Sequence, residues 1–201
     1  MASSATSSTH LEGRVLDAAK TCCERWGFAK VTIDDIAAES GVSRATLYRL
    51  FPGGKDVLFE ALRVRELEEF FALLASQVET TDNLDDLLVA TVVAATRELR
   101  ADQHLALMMA SEPGEALSQL TVAGLPRIIR MATVTLTPLV GSYVPPKTAT
   151  RLIDVLARLT ISYFLAPSDD VDLGDETSAR AFLNPVIAVL APQPTLPSPT
   201  V

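Results

Sequence analysis

The chain has 201 residues, of which 48% are apolar and 5% aromatic, and its formal net charge is −8. This length fits one or two compact units, and the apolar fraction is that of a packed globular protein, which excludes a wholly disordered chain. The acidic balance gives nucleic-acid binding no support, although residues 10–60, with seven basic and eight acidic side chains, are close to neutral.

The two ends of the chain differ in composition from the rest. Residues 1–8 are mostly Ser, Thr and Ala, and residues 191–201 are rich in proline, so we expect two disordered tails. No signal peptide or membrane-spanning stretch is visible, and we expect no membrane partner. The adjacent Cys22 and Cys23 cannot form a disulfide framework, which favours a reducing, cytoplasmic location.

Helical periodicity alternates with short breakers between the tails, and no alternating pattern is long enough for a sheet. The sequence therefore predicts an all-α fold. Thr9 and Glu12 have the spacing of a capping box at the start of a first helix that ends at Gly27. The predicted inner stripe of this helix consists of Val15, Ala19, Cys22, Cys23 and Trp26.

Two short helices are predicted next. Thr32 and Asp35 indicate the start of the second, which has Ile33, Ile36 and Ala37 as its inner face and ends at Gly41. Ser43 is in position to cap the third.

Longer helical patterns follow the breaker Pro52-Gly53-Gly54. They cover about residues 55–77, 82–101, 147–165 and 176–190, with shorter pieces broken near Pro113 and Pro126. Pro185 lies inside the last pattern and is expected to kink that helix or to mark its start.

Residues 32–51, TIDDIAAESGVSRATLYRLF, fit a helix-turn-helix. In this motif the second helix presents its first residues to base edges in the major groove of DNA. Gly41 provides the turn, and Val42 and Leu47 pin the two helices together. The residues left to project outward are Ser43, Arg44, Thr46, Tyr48 and Arg49. Arg44 is the predicted base reader, because its planar fork of donors matches guanine O6 and N7.

A wider region resembles the DNA-binding region of the TetR family. It runs over about 49 residues, RVLDAAKTCCERWGFAKVTIDDIAAESGVSRATLYRLFPGGKDVLFEAL, and its marks are A-A, G-F before Thr, D-D-I-A, G-V-S, T-L-Y and the Phe-to-Lys junction. Two positions depart from the family pattern: Pro52, Gly53 and Gly54 make a three-residue loop where two are usual, and Cys23 replaces an aromatic residue.

The resemblance implies a homodimer of about nine helices per chain. Residues 9–55 would form a helix-turn-helix head, and residues 56–190 a body for ligand binding and dimerisation. The contacts with double-stranded operator DNA that the resemblance implies for this chain are Thr32, Ser43, Arg44, Ala45, Thr46, Tyr48 and Lys55. It also implies that binding of a small-molecule effector tilts the fourth helix and changes the separation of the two recognition helices. Repression is the family default.

The resemblance weakens beyond about residue 62, so the body is interpreted from its apolar pattern. Apolar and polar side chains that could line an effector pocket are Phe70, Phe71, Leu74, Arg97, His104, Met108, Met109, Leu125 and Arg130. The last two apolar helices could pair with their symmetry mates through Leu152, Val155, Leu156, Leu159, Tyr163, Phe182 and Val186. The alternative for both sets is ordinary core or surface, with the last helices buried inside one chain.

The sequence thus predicts a ligand-responsive regulator that binds a palindromic operator as a dimer and is released by a small hydrophobic effector. An enzyme is disfavoured, because the chain has two isolated histidines and neither a glycine-rich phosphate loop nor a G-x-S-x-G motif. No metal or cofactor is expected. The alternative that stays open is a helical dimeric adaptor or sensor without an operator, and the acidic balance is its main support.

Overall fold

The computed structural model describes the backbone of residues 2–78 and 81–191 and, within these ranges, the side chains of all but residues 2–8 and His104. The described residues form ten α-helices and no strand, as the all-α prediction requires. In chain order the helices are α1 Ala2–Trp26, α2 Ile33–Ser40, α3 Arg44–Leu50, α4 Lys55–Val78, α5 Leu84–Ala101, α6 Gln103–Ser111, α7 Pro113–Leu120, α8 Leu125–Val140, α9 Pro146–Leu165 and α10 Glu176–Leu190.

The first helix begins earlier than predicted. Helix α1 begins at Ala2 instead of at Thr9. The physical reason is that Ser, Thr and Ala lower the apolar content without breaking a helix, since none of them removes a backbone donor as proline does. At the other end, Ala191 N–H donates to the Ile187 carbonyl at the C-terminus of α10. The predicted tail beyond Ala191 lies outside the described residues.

The chain divides into two compact units, and the first comprises residues Met1–Glu69 and Leu107–Pro113. Its core is made by apolar side chains of α1, the α1–α2 loop, α2, α3 and the first half of α4. The fully or nearly buried members are Val15, Leu16, Ala18, Ala19, Cys22, Cys23, Val31, Ile36, Val42, Leu47, Phe51, Leu58, Phe59 and Leu62. Trp26, predicted as the end of the inner stripe, is 42% exposed instead and has the Arg25 guanidinium 5.2 Å from its ring centroid.

This unit extends past the predicted head boundary at residue 55. Leu58, Phe59 and Leu62 of α4 belong to the same core as the helix-turn-helix, so α4 is part of the head as far as Glu69. The apolar pattern of α4 predicted a helix but could not indicate which neighbours each face would contact. The start of α4 therefore does not separate two domains.

The second unit comprises residues Phe70–Ala106 and Gly114–Val201, of which the described part is built around α5, α8, α9 and α10. Leu87, Val92, Leu152, Leu183 and Ile187 are among its buried residues. Asp175 caps α10 by accepting from Ser178 N–H at 2.9 Å, so α10 begins before Pro185 and continues through it.

Ion pairs connect α5 to α10 and to the loop before it. Arg180 Nη1 lies 2.5 Å from Asp86 Oδ1, and hydrogen bonds from Arg180 and Asn83 lower the pKa of Asp86. Arg100 Nη1 lies 2.8 Å from Asp172 Oδ1. None of the described helices combines the length and the apolar character needed to cross a membrane.

Candidate nucleic-acid interface

Helix α2 begins with a complete capping box. Thr32 Oγ1 accepts from Asp35 N–H at 3.2 Å, and Asp35 Oδ2 accepts from Thr32 N–H at 2.9 Å. The Thr32 hydroxyl also donates to Asp35 Oδ2 at 2.7 Å, and these contacts lower the pKa of Asp35. Because a capping box satisfies backbone donors that the helix leaves open, the start of α2 is fixed locally, as the sequence predicts.

Gly41 makes the turn between α2 and α3. Its φ of 66° and ψ of 22° are left-handed, and its N–H donates to the Ala37 carbonyl. This is the conformation that glycine adopts at a helix C-terminus without steric cost. Arg14 Nη2 donates to the Ser40 carbonyl at 2.7 Å, so α1 also holds the end of α2.

Helix α3 presents its polar side away from the core. Ser43 caps it by accepting from Thr46 N–H at 3.3 Å, and the two hydroxyls of these residues lie 3.0 Å apart. Val42 and Leu47 are buried, as predicted. The residues on the outer side are exposed except for the partly buried Thr46, and they are Ser43, Arg44, Ala45, Thr46, Tyr48 and Arg49. The structure therefore brings the predicted α3 contacts onto one surface.

An ion pair links the two helices at this surface. Arg44 Nε lies 2.9 Å from Asp34 Oδ1, and both side chains are well exposed, at 63% and 62%. Asp34 stands in the first turn of α2, and Arg44 is the first residue of α3. Sequence reasoning missed Asp34, because an acidic residue in a first helical turn is adequately explained by the helix dipole.

The three-residue loop after α3 depends on its glycines. Gly53 and Gly54 have φ values of 121° and 72°, and a Cβ on Gly54 would lie 3.2 Å from Tyr48 Cε1. Gly54 N–H donates to the Phe51 carbonyl at 2.9 Å, and Leu58 N–H donates to the Gly54 carbonyl at 3.1 Å. The loop thus ends α3 and starts α4, and Gly54 lies next to the Tyr48 ring.

Lys55 contacts the α1–α2 loop. Its Nζ donates to the Phe28 carbonyl at 2.9 Å and to the Ala29 carbonyl at 3.4 Å, and it lies 5.3 Å from the Phe59 ring centroid. Glu112 Oε1 accepts from the Ala29 N–H of the same loop at 3.3 Å. The loop is therefore held by one cation and one carboxylate. Sequence reasoning missed Glu112, which is 83 residues from Ala29.

The predicted effector-pocket residues are distributed over both units. Phe71 and Leu74 are buried in the second unit, whereas Met108 and Met109 belong to the first. Phe70 packs edge-on against Phe71, with ring centroids 5.2 Å apart. Leu125 is partly buried.

Two of the three polar anchors predicted for the pocket are exposed arginines. Arg97 and Arg130 are both exposed, and Arg97 Nε donates to the Gly174 carbonyl at 2.8 Å. Their exposure agrees with the alternative that these arginines are ordinary surface residues, since a long side chain reaches the surface at little cost. The side chain of His104 lies outside the described residues.

The predicted dimer-interface residues separate into two sets. Leu152 and Leu156 are buried within the chain, so they are corrected to core residues. The partly exposed set consists of Val155, Leu159, Tyr163, Phe182 and Val186. Tyr163 and Phe182 pack together with ring centroids 5.2 Å apart, which joins α9 and α10 into one apolar surface.

No group of three or more His, Cys, Asp or Glu side chains that could hold a metal ion occurs in the part of the chain that the structure describes. Cys22 and Cys23 are buried free thiols. The outer side of α3 has the geometry that the second helix of a helix-turn-helix presents to the edge of a nucleic-acid groove.

Comparison with known proteins gives matches for both the sequence and the fold. Residues 15–62 match the family model of bacterial regulatory proteins of the tetR family. Uncharacterized HTH-type transcriptional regulators of Mycobacterium bovis and Mycobacterium tuberculosis are each 32% identical over 100 residues, which cover 50% of this chain and 50% of the relative. The chain spans about half the length of these curated relatives.

Solved structures match over most of the chain at low identity, which is a likeness of fold. The TetR family repressor AlkX from Dietzia sp., implicated in biodegradation of n-alkanes, has a TM-score of 0.66 at 22% identity, covering 89% of this chain and 94% of that one. The R. erythropolis repressor QsdR has a TM-score of 0.59 at 17% identity, covering 90% and 94%. The fatty acid degradation regulator FadR from Bacillus halodurans has a TM-score of 0.51 at 18% identity, covering 89% and 93%.

Proposed function

We propose that this chain, of which residues 15–62 match the family model of bacterial regulatory proteins of the tetR family, is a cytoplasmic transcriptional regulator of that family. In this proposal its dimer binds a palindromic operator and is released by a small hydrophobic effector. The observation that carries the proposal is the outer side of α3, where Arg44, Tyr48 and Arg49 are exposed. An arginine at the first position of a recognition helix is suited to guanine, and the hydroxyls beside it are suited to phosphate.

The contacts of Thr32 and Lys55 within the chain support a second, structural role for each of them. The Thr32 hydroxyl caps α2, so its contribution to DNA binding would include fixing the helix start. Lys55 donates to the Phe28 and Ala29 carbonyls, so its proposed role is to hold the α1–α2 loop beside the DNA.

The same loop supports a response to an effector. Glu112, the residue between α6 and α7, accepts from Ala29 N–H within the first unit. Movement of this end of α6 would therefore change the hydrogen bond that holds the α1–α2 loop of the head. A ligand shifts the equilibrium between two states only by its difference in affinity for them, so the proposed effector must favour a state with altered DNA affinity.

The test is a selection of genomic DNA fragments with the purified full-length protein. We expect enrichment of one palindromic sequence, bound with modest affinity that falls only gradually as the salt concentration rises, because the nearly neutral head makes few phosphate contacts. Recovery of no palindrome would overturn the proposal and favour the adaptor alternative. Hydrophobic molecules such as alkanes and fatty-acid derivatives are the first effectors to add, following the descriptions of AlkX and FadR.

Arg44→Ala is the variant that tests base reading. We expect it to reduce the preference for the selected site over a scrambled duplex by about tenfold to a hundredfold, since a bidentate base contact is worth about 1–3 kcal/mol. The matched control is Arg25→Ala, because Arg25 is also an exposed arginine paired with an acidic residue of α2. Equal effects of the two substitutions would contradict a special role of Arg44.

A further inference from the structure

The ion pair between Asp34 and Arg44 needs an explanation that folding does not supply. Both side chains are more than half exposed, and exposed ion pairs contribute little to stability because water and salt screen them. Helix α2 is already capped by Thr32 and Asp35, so Asp34 is not needed to begin it. An acidic side chain beside the proposed base reader must also repel DNA phosphates, which weakens binding.

The geometry of the contact indicates that Asp34 can orient the Arg44 side chain. It engages Arg44 Nε, at 2.9 Å from Asp34 Oδ1, on one edge of the guanidinium group. The donors that form a bidentate pair with guanine O6 and N7 can be supplied by the two Nη atoms, which this contact does not use. A free arginine side chain explores many rotamers, and fixing one of them before binding lowers the entropy cost of the base contact.

We propose that Asp34 is a positioning residue that holds the Arg44 guanidinium for guanine recognition, raising sequence discrimination while lowering affinity for all DNA. This inference rests on the proposed function and adds a determinant of specificity to it. Asp34 contacts no base itself and acts through Arg44. The two effects separate experimentally, because repulsion of phosphates acts on every sequence, whereas orientation of Arg44 acts only where its guanine is present.

The experiment compares full-length wild type with Asp34→Ala, Asp34→Asn, Arg44→Ala and the double variant Asp34→Ala/Arg44→Ala. Dissociation constants are measured for the selected operator, for operators with each guanine replaced in turn, and for a scrambled duplex over a range of salt concentrations. The matched control is Glu39→Ala, which removes an acidic α2 residue paired with Arg25 at 3.5 Å, away from Arg44. Thermal melting of each variant checks that the fold is retained.

We expect Asp34→Ala to reduce discrimination at one guanine by about threefold to tenfold, within the range of a single base contact. It should also bind the scrambled duplex about twofold to fivefold more tightly at low salt, because one negative charge is lost. Asp34→Asn keeps an oxygen acceptor and should retain most of the discrimination while showing the same gain on scrambled DNA. In the Arg44→Ala background, removal of Asp34 should leave discrimination unchanged.

Two results would overturn the inference while leaving the proposed function intact. One is that Asp34→Ala distinguishes the selected operator from the guanine-substituted operators as well as wild type and Glu39→Ala do. The other is a loss of discrimination by Asp34→Ala that persists in the Arg44→Ala background, because the effect would then not pass through Arg44. If wild type itself selects no sequence, the proposed function fails and the inference fails with it.

Discussion

Cys23 is a residue whose chemistry depends on its burial. Desolvation, with smaller contributions from Cys22 and Glu66, raises the pKa of the Cys23 thiol from 9.0 to about 12. Burial also raises the pKa of the Cys22 thiol. Because the thiolate is the reactive form, both groups are poor nucleophiles at neutral pH. This agrees with the interpretation of the pair as small apolar residues in the stripe of α1 and disfavours a redox role.

The raised pKa of Cys23 predicts a loss of stability at alkaline pH. The unfolded thiol ionises near pH 9.0 and the folded one near 12, so the stabilisation is fully present below pH 9 and is lost as the pH rises from 9 towards 12. Between pH 9 and pH 10 the free energy of unfolding of wild type should fall by about 1 kcal/mol more than that of Cys23→Ala. Urea unfolding at the two pH values measures this difference.

Cys22→Ala is the control for that measurement, because it leaves the Cys23 thiol in place. Tyrosine and lysine side chains also ionise at alkaline pH, but they are common to all three proteins and cancel in the comparison. Identical slopes in wild type and Cys23→Ala would mean that the Cys23 pKa is not raised.

At the scale of single elements, the helix-turn-helix was predictable because its boundaries are chemically local. Thr32 with Asp35, Gly41, and Ser43 each act on backbone groups within about one turn, so sequence spacing alone indicates them. Glu112 has no such pattern, since its partner Ala29 lies 83 residues away. Asp34 stands in the first turn of α2, where sequence position indicates an interaction with the helix dipole but not an ion pair with Arg44.

The Pro52-Gly53-Gly54 loop leads to a second prediction. Gly53 has φ of 121°, a conformation that other residues rarely adopt, and a Cβ there would lie 2.6 Å from Val57 Cγ2. Gly53→Ala should therefore lower the free energy of unfolding by about 1–3 kcal/mol. Urea unfolding monitored by circular dichroism is the measurement.

Gly13→Ala provides the opposite expectation with the same chemical change. Gly13 lies inside α1, where an added Cβ would meet nothing within 4 Å. Because alanine restricts the unfolded chain and favours helix, this substitution should raise stability by about 0.5–1 kcal/mol. The account of the loop is wrong if Gly53→Ala is as stable as wild type.

For the whole molecule, the sequence predicted the helical class and the approximate helix positions but not which faces would meet. The head was predicted to end at residue 55, yet α4 contributes Leu58 and Leu62 to the head core. Leu152 and Leu156 were predicted at a dimer interface and are buried inside the chain. In each case the helical spacing of apolar residues indicates that one face of the helix is buried. That spacing cannot show whether the face is buried within the head, within the body or between two chains.

The exposed apolar surface of α9 and α10 supports the proposed dimer and gives the third prediction. Val155, Leu159, Phe182 and Val186 are partly exposed there, and Val189, which sequence reasoning omitted, is 76% exposed. A two-fold interface needs one self-complementary patch, and a charge placed in it must be desolvated twice. Val189→Asp should therefore weaken the dimer by at least about tenfold, as for a lost interface contact of about 1.4 kcal/mol or more.

Sedimentation over a range of concentrations measures the dimer dissociation constant, and Val122→Asp is the matched control. Val122 is 91% exposed in the segment between α7 and α8, away from the α9 and α10 surface in sequence. It should leave both the dimer and operator binding intact. Val189→Asp should lose operator binding together with the dimer, because two linked recognition helices hold both half-sites and one alone cannot. A Val189→Asp protein that stays dimeric would place the interface on another surface, and a monomeric wild type would remove the dimer from the proposed function.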